Sequence, residues 1–202
     1  MRVLLVLALA TALLSGCAPA KDDDFIVPIV PPSKVDVDTP ALRSAKAAAG
    51  IADCTPGTGD NDLPEVTLPC FGGGPDVRLD TLTGPLVVSF WAGWCGPCRK
   101  ELPYYARLSR DYADKLGVIG IDYLDQQTEA AMDLLGDTGV TYPQLADPGG
   151  DLAGKAGLPP LRNLPVVVLV GADGSIAGFN IGEITSYSEL RQLVSDELGI
   201  AA

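Results

Sequence analysis

The protein has 202 residues, a formal net charge of -12, and a composition that is 47% hydrophobic. This length allows one domain of ordinary size with additional segments, and the hydrophobic share is enough for a buried core. The lysines and arginines are scattered along the chain, which argues against binding to nucleic acid. The chain has no histidine, so the commonest general base and the commonest metal ligand are both excluded.

The N-terminus has the pattern of an export signal. Arg2 precedes an apolar run over residues 3–14, which is shorter than a typical membrane-spanning helix. The run ends in Leu-Ser-Gly-Cys at residues 14–17, and this resembles the lipobox of bacterial lipoproteins. The resemblance implies a signal peptide over residues 1–16, a lipid on Cys17, and anchoring on the outer side of the bacterial cell membrane. The alternative is an ordinary signal peptide followed by a chance cysteine.

Residues 17–62 are predicted to connect this lipid to the folded domain. Residues 18–38 are rich in proline and aspartate, a composition that favours an extended tether. Thr39, Pro40 and the following alanines favour a short helix that leads to Cys54. A loop rich in glycine and aspartate follows at residues 57–62.

From residue 63 to residue 202 the pattern predicts a single α/β domain. Apolar periodicity and turn residues place strands at 63–71, 76–82, 85–92, 116–124 and 142–147, a hairpin at 165–182, and helices from 97, 128, 150 and 186. Pro103 should kink the helix that begins near Pro97. Thr128 and Ser186 are expected to cap their helices. This order predicts a central mixed β-sheet with helices on both faces.

Two cysteines, Cys95 and Cys98, follow the buried strand at 85–92 with only Gly96 and Pro97 between them. Because open α/β folds place their sites at the carboxyl ends of strands, this turn is a candidate active site. Cys95 also begins a helix, where unpaired N–H groups and the helix dipole favour a thiolate. Pro97 suits the first helical turn, and the short spacing allows a strained, reducible disulfide.

The stretch "FWAGWCGPCRKELP", residues 90–103, resembles the active site of the thioredoxin family, with Trp94 directly before the first cysteine. The order of elements over about residues 63–200 is similar to the membrane-anchored TlpA/ResA-like branch. The resemblance implies a thioredoxin-like fold with an N-terminal β extension and a strand-helix insertion near residues 125–157. It also implies thiol-disulfide exchange, with Cys95 as the exposed nucleophile and Cys98 as the buried thiol that resolves the mixed disulfide.

Two further residues match the family pattern. Pro165 matches a cis-proline that faces the cysteine pair and exposes the backbone of Leu164 for strand-like pairing with a substrate. Pro159 and Pro160 compete for this assignment. Glu101 lies on the helical face of the second cysteine and matches a glutamate thought to handle protons for the buried thiol. The alternative for Glu101 is a solvated surface carboxylate.

The chain also departs from thioredoxin at two positions. Ser89 stands where thioredoxin has a buried aspartate, and Gly120 stands where it has a lysine on the following strand. The proton relay of thioredoxin is therefore absent, and Glu101 is its only visible substitute. Because of these departures the sequence does not predict the redox potential, but thiol-disulfide exchange is still expected.

Cys54, in the connecting segment, and Cys70, in the domain, are predicted to form a structural disulfide. If Cys17 carries a lipid, the four remaining cysteines can pair, as cysteines outside the cytosol tend to do. Zinc sites usually show two close pairs, whereas Cys54 and Cys70 are far apart in the sequence. We expect a Cys54–Cys70 disulfide that holds the alanine-rich segment on the domain and contributes about 3 kcal/mol through loop closure. No metal or cofactor is expected.

Together these features predict an extracytoplasmic thiol-disulfide oxidoreductase. The family mostly reduces, so the expected substrates are disulfides of exported proteins, with apocytochrome c as one candidate. The family also implies that a membrane thiol-transfer protein supplies the electrons, and we expect a monomer. One alternative is a disulfide-forming oxidase. A second is a non-enzymatic copper- or thiol-binding module, which the absence of histidine and the scarcity of methionine disfavour.

Overall fold

The computed structural model describes residues 35–201. The predicted signal peptide at residues 1–16, the predicted lipidation site Cys17, and tether residues 18–34 lie outside the described residues. Within the described part of the chain, no helix combines the length and the apolar character that a membrane crossing requires. The described residues belong to one compact unit.

Helices and strands follow the predicted order, with one difference. The elements are α1 (Pro40–Ala49), β1 (Thr67–Leu68), β2 (Val77–Arg78), a 3₁₀ turn (Leu79–Thr81), β3 (Leu86–Trp91), α2 (Gly96–Asp111), β4 (Gly117–Tyr123), α3 (Thr128–Asp137), β5 (Gln144–Asp147), β6 (Val166–Val170), β7 (Ile176–Ile181) and α4 (Tyr187–Leu198). The short helix predicted from residue 150 is wrong, because this segment forms turns. Gly150, Gly154 and Gly157 adopt positive φ angles there, which a continuous right-handed helix does not permit.

The predicted mixed β-sheet is confirmed. Its five strands have the order β5-β4-β3-β6-β7, in which β3, β4 and β5 are parallel and β6 and β7 are antiparallel to their neighbours. Strand β3 lies at the centre, and each of its six residues is buried. This burial explains why its sequence, Leu-Val-Val-Ser-Phe-Trp, is almost continuously apolar. Strands β1 and β2 form a separate two-stranded antiparallel pair.

The prediction of helices on both faces of the sheet is wrong for the described α-helices. All four contribute buried side chains to the core on one face. The core on the other face is built from segments around Leu63, Leu79, Leu152 and Leu161, and the α-helices of the described chain add nothing to it. The reason is topological. The parallel steps from β3 to β4 and from β4 to β5 run in the same direction, so right-handed crossovers place α2 and α3 on the same face.

Helix α1 packs on this same face and belongs to the compact unit. The Oγ1 of Thr39 accepts a hydrogen bond from the N–H of Leu42 at 3.2 Å, so the predicted cap is confirmed. Leu42 and Ile51 are buried in the core that α1 shares with α3. The compact unit therefore begins before residue 63, where the sequence pattern placed the domain boundary. The apolar face of α1 needs a partner, and α3 provides it.

Candidate active site

The cysteine pair lies at the carboxyl end of the central strand, as the sequence predicts. Cys95 follows β3 and is the N-cap residue of α2, and its Sγ accepts a hydrogen bond from the backbone N–H of Cys98 at 3.3 Å. Cys95 and Cys98 form a disulfide with a Cα–Cα distance of 5.3 Å. Pro97 lies in the first turn of the helix. The site therefore places sulfur where the helix N-terminus favours negative charge.

Cys95 is not exposed in this oxidised form, which corrects the sequence expectation. Only 4% of Cys95 and 1% of Cys98 are accessible to solvent. The N-cap position turns the Cys95 sulfur back toward the backbone of α2 and into the disulfide. Trp94 is instead the exposed neighbour, at 56%. Its Nε1 donates a hydrogen bond to the carbonyl of Leu124 at 3.2 Å, so an aromatic surface lies beside the disulfide.

Glu101 is buried, so the alternative of a solvated surface carboxylate is wrong. It is 2% exposed, and its Oε1 accepts a hydrogen bond from the N–H of Ile184. Burial raises the pKa of Glu101 from 4.5 to about 7, and the nearby charges of Glu183 and Glu189 act in the same direction. The Ile184 N–H and the Tyr105 hydroxyl lower this pKa. A carboxyl group with this pKa can accept and release a proton near neutral pH.

The loop after β7 buries Glu101. Three side chains of α2 hold this loop: Lys100 pairs with Glu183 at 3.1 Å, Glu101 binds the Ile184 N–H, and the Tyr104 hydroxyl donates to the carbonyl of Thr185 at 3.2 Å. Because the Glu101 contact joins residues that are 83 positions apart, no local pattern could reveal it.

Ser89 stands where thioredoxin has a buried aspartate, and the side chain of Tyr105 connects it to Glu101. The Tyr105 side chain interacts with both Ser89 and Glu101, and all three residues are buried. Burial, followed by the negative charge of Glu101, raises the pKa of Tyr105 well above its usual value. Tyr105 therefore stays protonated and can donate a hydrogen bond to the carboxylate. Tyr105 was not among the predicted site residues, although its position four residues after Glu101 places both on one helical face.

Gly120, the second departure from thioredoxin, makes room for a glutamine from the neighbouring strand. A Cβ at Gly120 would overlap Oε1 of Gln144. That oxygen accepts a hydrogen bond from Nε1 of Trp91 at 3.0 Å. Gln144 is fully buried on β5. The glutamine thus occupies the space over β4 and fixes the tryptophan that ends β3.

A buried aspartate also joins the active-site turn to the start of α3. Asp125 accepts hydrogen bonds from the N–H of Gly93 at 2.7 Å and from the N–H of Gln127 at 2.8 Å. Thr128 is the first residue of α3, and the N-cap is Gln127 without a side-chain bond, so the predicted Thr128 cap is wrong.

Burial, followed by the charge of Asp125, raises the pKa of Asp122 well above its usual value.

Pro165 lies at the same edge of the sheet as the cysteine pair. The Leu164–Pro165 peptide bond is cis, and the two competing prolines are not preceded by cis bonds. Phe90 of β3 pairs with Val166 of β6, which places Pro165 beside the end of β3. A second cis bond, Gly84–Pro85, occurs in the described chain and was not predicted.

Cys54 and Cys70 form the second disulfide, with a Cα–Cα distance of 5.8 Å. The two disulfides use all four cysteines of residues 35–201. Across these residues, no group of three or more histidine, cysteine, aspartate or glutamate side chains is arranged to hold a metal ion.

Comparisons with known proteins identify the family of this chain. A family model described as Redoxin matches residues 58–194. Thioredoxin-like protein YneN of Bacillus subtilis (strain 168) is 30% identical over 135 residues, which cover 60% of this chain and 77% of the relative. Thiol-disulfide oxidoreductase ResA of Bacillus thuringiensis (strain Al Hakam) is 33% identical over 114 residues, which cover 55% of this chain. That match spans 64% of ResA, slightly less than two thirds of its length.

A solved structure shows the same fold. The structure of MTB DsbF in its mixed oxidized and reduced forms has a TM-score of 0.58 and 24% identity, and the match covers 68% of this chain and 98% of DsbF. The Redoxin match includes the strand that precedes the cysteine pair, the pair itself, and the loop that buries Glu101. The expected thioredoxin-like fold is therefore confirmed. The chain belongs to the redoxin family and is a ResA-like thiol-disulfide oxidoreductase of the thioredoxin superfamily.

Proposed function

We propose that this protein reduces disulfides of exported proteins outside the cell membrane, to which a lipid on Cys17 attaches it. The observation that carries the proposal is the buried Glu101, whose pKa is about 7. It lies one helical turn after Cys98 in α2. A dithiol enzyme needs a group near the buried thiol that can hold a proton at neutral pH, and Glu101 meets that requirement.

Cys95 acts first in this mechanism. In the reduced enzyme its thiolate is stabilised at the N-terminus of α2, where the Cys98 N–H points toward the sulfur. The thiolate attacks one sulfur of a substrate disulfide. The S–S bond of the substrate breaks, and its second sulfur leaves as a thiolate. The product is a mixed disulfide between Cys95 and the substrate.

Cys98 then resolves the mixed disulfide. Glu101 accepts the proton of the Cys98 thiol, and the resulting thiolate attacks Sγ of Cys95. The bond to the substrate breaks, and the substrate leaves with two reduced sulfurs. The enzyme ends with the Cys95–Cys98 disulfide, the form that the structure contains. The two electrons have passed from the enzyme dithiol to the substrate.

The exposed surface beside the disulfide suits a protein substrate. Trp94 and Leu124 are exposed apolar side chains, and apolar side chains in an unfolded or misfolded exported protein can pack against them. Apocytochrome c is one candidate substrate. A membrane thiol-transfer protein is the proposed electron donor, since each cycle consumes one enzyme dithiol.

Trapping of the intermediate tests the proposed roles. Cys98→Ser should accumulate mixed disulfides with exported proteins in the native host, while Cys95→Ser should accumulate none and should lose insulin reduction. Loss of trapping in Cys98→Ser, or insulin reduction by Cys95→Ser at the wild-type rate, would contradict the assignment. A reduction potential of about -120 mV for the wild-type pair would instead favour the disulfide-forming oxidase.

The lipid anchor is tested separately. Labelled palmitate should be incorporated into the wild-type protein, and Cys17→Ser should lose both the label and the membrane association. Cys54 and Cys70 provide the control, because their substitution should leave the label unchanged. Equal labelling of the wild-type protein and Cys17→Ser would refute the anchor without affecting the redox proposal.

A further inference from the structure

A buried lysine lies against the disulfide that the catalytic cycle does not use. Lys46 of α1 is 4% exposed, and its Nζ lies 3.3 Å from Sγ of Cys70. We propose that Cys54–Cys70 is a second redox-active pair, in which Lys46 stabilises a Cys70 thiolate and a small dithiol acts as the reductant. This inference is independent of the proposed function, because it concerns a different pair of cysteines.

The surroundings of Lys46 do not fully balance its charge while the disulfide is intact. Its Nζ donates a hydrogen bond to the carbonyl of Gly73 at 2.7 Å and forms an ion pair with Asp53 at 3.1 Å. The Asp53 side chain is 86% exposed, so water screens much of its attraction. The sulfur of Cys70 is neutral in the disulfide and only a weak acceptor. Among the described residues, the close oxygens around the buried ammonium group are therefore the uncharged Gly73 carbonyl and the exposed Asp53 carboxylate. Asp38 also attracts Lys46, but its carboxylate is paired with Arg43.

Reduction would supply the missing negative charge. A Cys70 thiolate at the same position would be a full anion in contact with a buried cation, and such contacts lower thiol pKa values. Stabilisation of the reduced form raises the reduction potential of a disulfide. Lys46 therefore favours opening of Cys54–Cys70 relative to the same disulfide without a cation.

The carbonyl group beside Cys54 also favours the reduced state. Sγ of Cys54 lies 3.2 Å from the carbonyl oxygen of Gln144. A disulfide sulfur has no hydrogen to donate to this carbonyl, whereas a Cys54 thiol does. The two sulfurs thus have opposite surroundings, with an acceptor beside Cys54 and a donor beside Cys70. This arrangement suits a Cys54 thiol and a Cys70 thiolate.

The same asymmetry sets the direction of attack. A thiolate of the dithiol attacks Sγ of Cys54, the Cys54–Cys70 bond breaks, and Cys70 leaves as the thiolate beside Lys46. The second thiol of the reductant loses its proton to solvent and attacks the reductant's own sulfur in the mixed disulfide. Cys54 leaves and takes up a proton to become a thiol. The dithiol becomes a cyclic disulfide, and two electrons have moved to the protein.

A cavity lies beside the Cys70 end of this disulfide. It has a volume of about 550 Å³ and is lined by Lys46, Asp53 and Gly72–Gly74, among others. Lys46 and Gly74 separate the cavity from Cys70, and a side chain at Gly74 would begin only 3.2 Å from the sulfur. Cys54 and Cys70 are themselves buried, so attack on Sγ of Cys54 requires the chain around Cys54 to open locally on the side away from Cys70.

The test uses the full chain with Cys17, Cys95 and Cys98 all replaced by serine, so that only the second pair can react. The oxidised protein is equilibrated with mixtures of reduced and oxidised dithiothreitol, and the reduced fraction is measured from the mass added by alkylation. Lys46→Met removes the charge but keeps a long apolar side chain, and Lys46→Arg is the matched control that keeps the charge. Far-ultraviolet circular dichroism follows the fold in the same samples.

The equilibrium constant for reduction should fall at least tenfold in Lys46→Met, which corresponds to about 30 mV for a two-electron couple. The equilibrium constant of Lys46→Arg should stay within about threefold of that of the protein with Lys46, because arginine keeps the positive charge. Equal constants in the lysine and methionine proteins would overturn the proposal. Reduction that occurs only together with loss of the folded circular dichroism signal would also overturn it.

A second measurement keeps the proposal testable if Lys46→Met does not fold. In the reduced lysine protein at pH 7, Cys70 should be alkylated at least tenfold faster than Cys54, because only Cys70 has a cation beside its sulfur. Similar rates, or faster reaction of Cys54, would overturn the assignment. Neither result would affect the roles proposed for the catalytic pair, which is absent from this variant.

Discussion

The buried carboxyl of Glu101 makes a quantitative prediction about the pH dependence of stability. The perturbation is Glu101→Gln, which keeps a side-chain oxygen that can accept the hydrogen bond from the Ile184 N–H. It removes only the ability to ionise. Because the oxidised protein is stable toward exchange in the absence of thiols, the comparison can be made on one redox form.

The magnitude follows from the pKa of Glu101, which burial raises from 4.5 to about 7. That difference corresponds to about 3 kcal/mol of preference for the neutral acid in the folded state. Solvent screening near the covering loop reduces it, so we expect about 2 kcal/mol. The folded protein binds more protons than the unfolded chain between these two pKa values. The contribution is therefore fully present below pH 4.5 and is lost as the pH rises through about 7.

The assay is chemical denaturation of oxidised wild-type protein and Glu101→Gln at several pH values between 4.5 and 8. The difference between the two free energies of unfolding cancels the titration of all other groups. It should change by about 2 kcal/mol across this range in favour of the wild type at low pH. Glu129→Gln removes the same charge from an exposed position of α3 and controls for the change in net charge.

A difference that stays constant across this pH range would refute the reasoning. A difference that stops changing below about pH 5.5 would also refute it, because the curve levels off near the folded-state pKa, and burial would then not be the dominant influence on the carboxyl. If Glu129→Gln produced the same pH-dependent difference, the effect would belong to net charge and not to the burial of Glu101.

Three other substitutions give further predictions. Tyr105→Phe removes a donor that lowers the pKa of Glu101, so the midpoint of the same difference curve should move to higher pH; a move to lower pH would contradict this. Gly120→Ala should lower the free energy of unfolding by about 1–3 kcal/mol, since its Cβ would overlap Gln144. Adding Gln144→Ala should recover part of that loss, and equal losses in the single and double variants would argue against the overlap. Asp125→Ala should cost about 1–2 kcal/mol in denaturation experiments, with a smaller loss for Asp125→Asn, and no loss would mean that its two backbone contacts are not stabilising.

The cysteine pair and the strands around it could be predicted because their signals are local. Cys95 and Cys98 are three residues apart, follow an apolar strand and begin a helix. Their chemistry therefore depends on a short segment whose conformation follows from its own residues. Pro165 was matched through the family resemblance, and the uninterrupted strand directly after it favoured it over Pro159 and Pro160.

The faces of the sheet could not be assigned from periodicity. A helical repeat of apolar residues shows that a helix has a buried side, but not which face of the sheet receives it. That choice follows from strand order, because consecutive parallel crossovers in one direction stay on one face. The turns at residues 150–157 were misassigned for a simpler reason, namely that the apolar spacing was weighted above the repeated glycines.

The sequence by itself predicted that Cys95 and Cys98 are the redox pair, that this pair lies at the carboxyl end of a central strand, and that the other two cysteines pair with each other. Only the tertiary structure decided which groups the buried charges contact. Glu101 has a pKa of about 7 because a loop 83 residues away covers it, and Lys46 lies against Cys70 because α1 folds back onto the domain. Desolvation and charge contacts depend on distances in space, and residues remote in sequence set those distances.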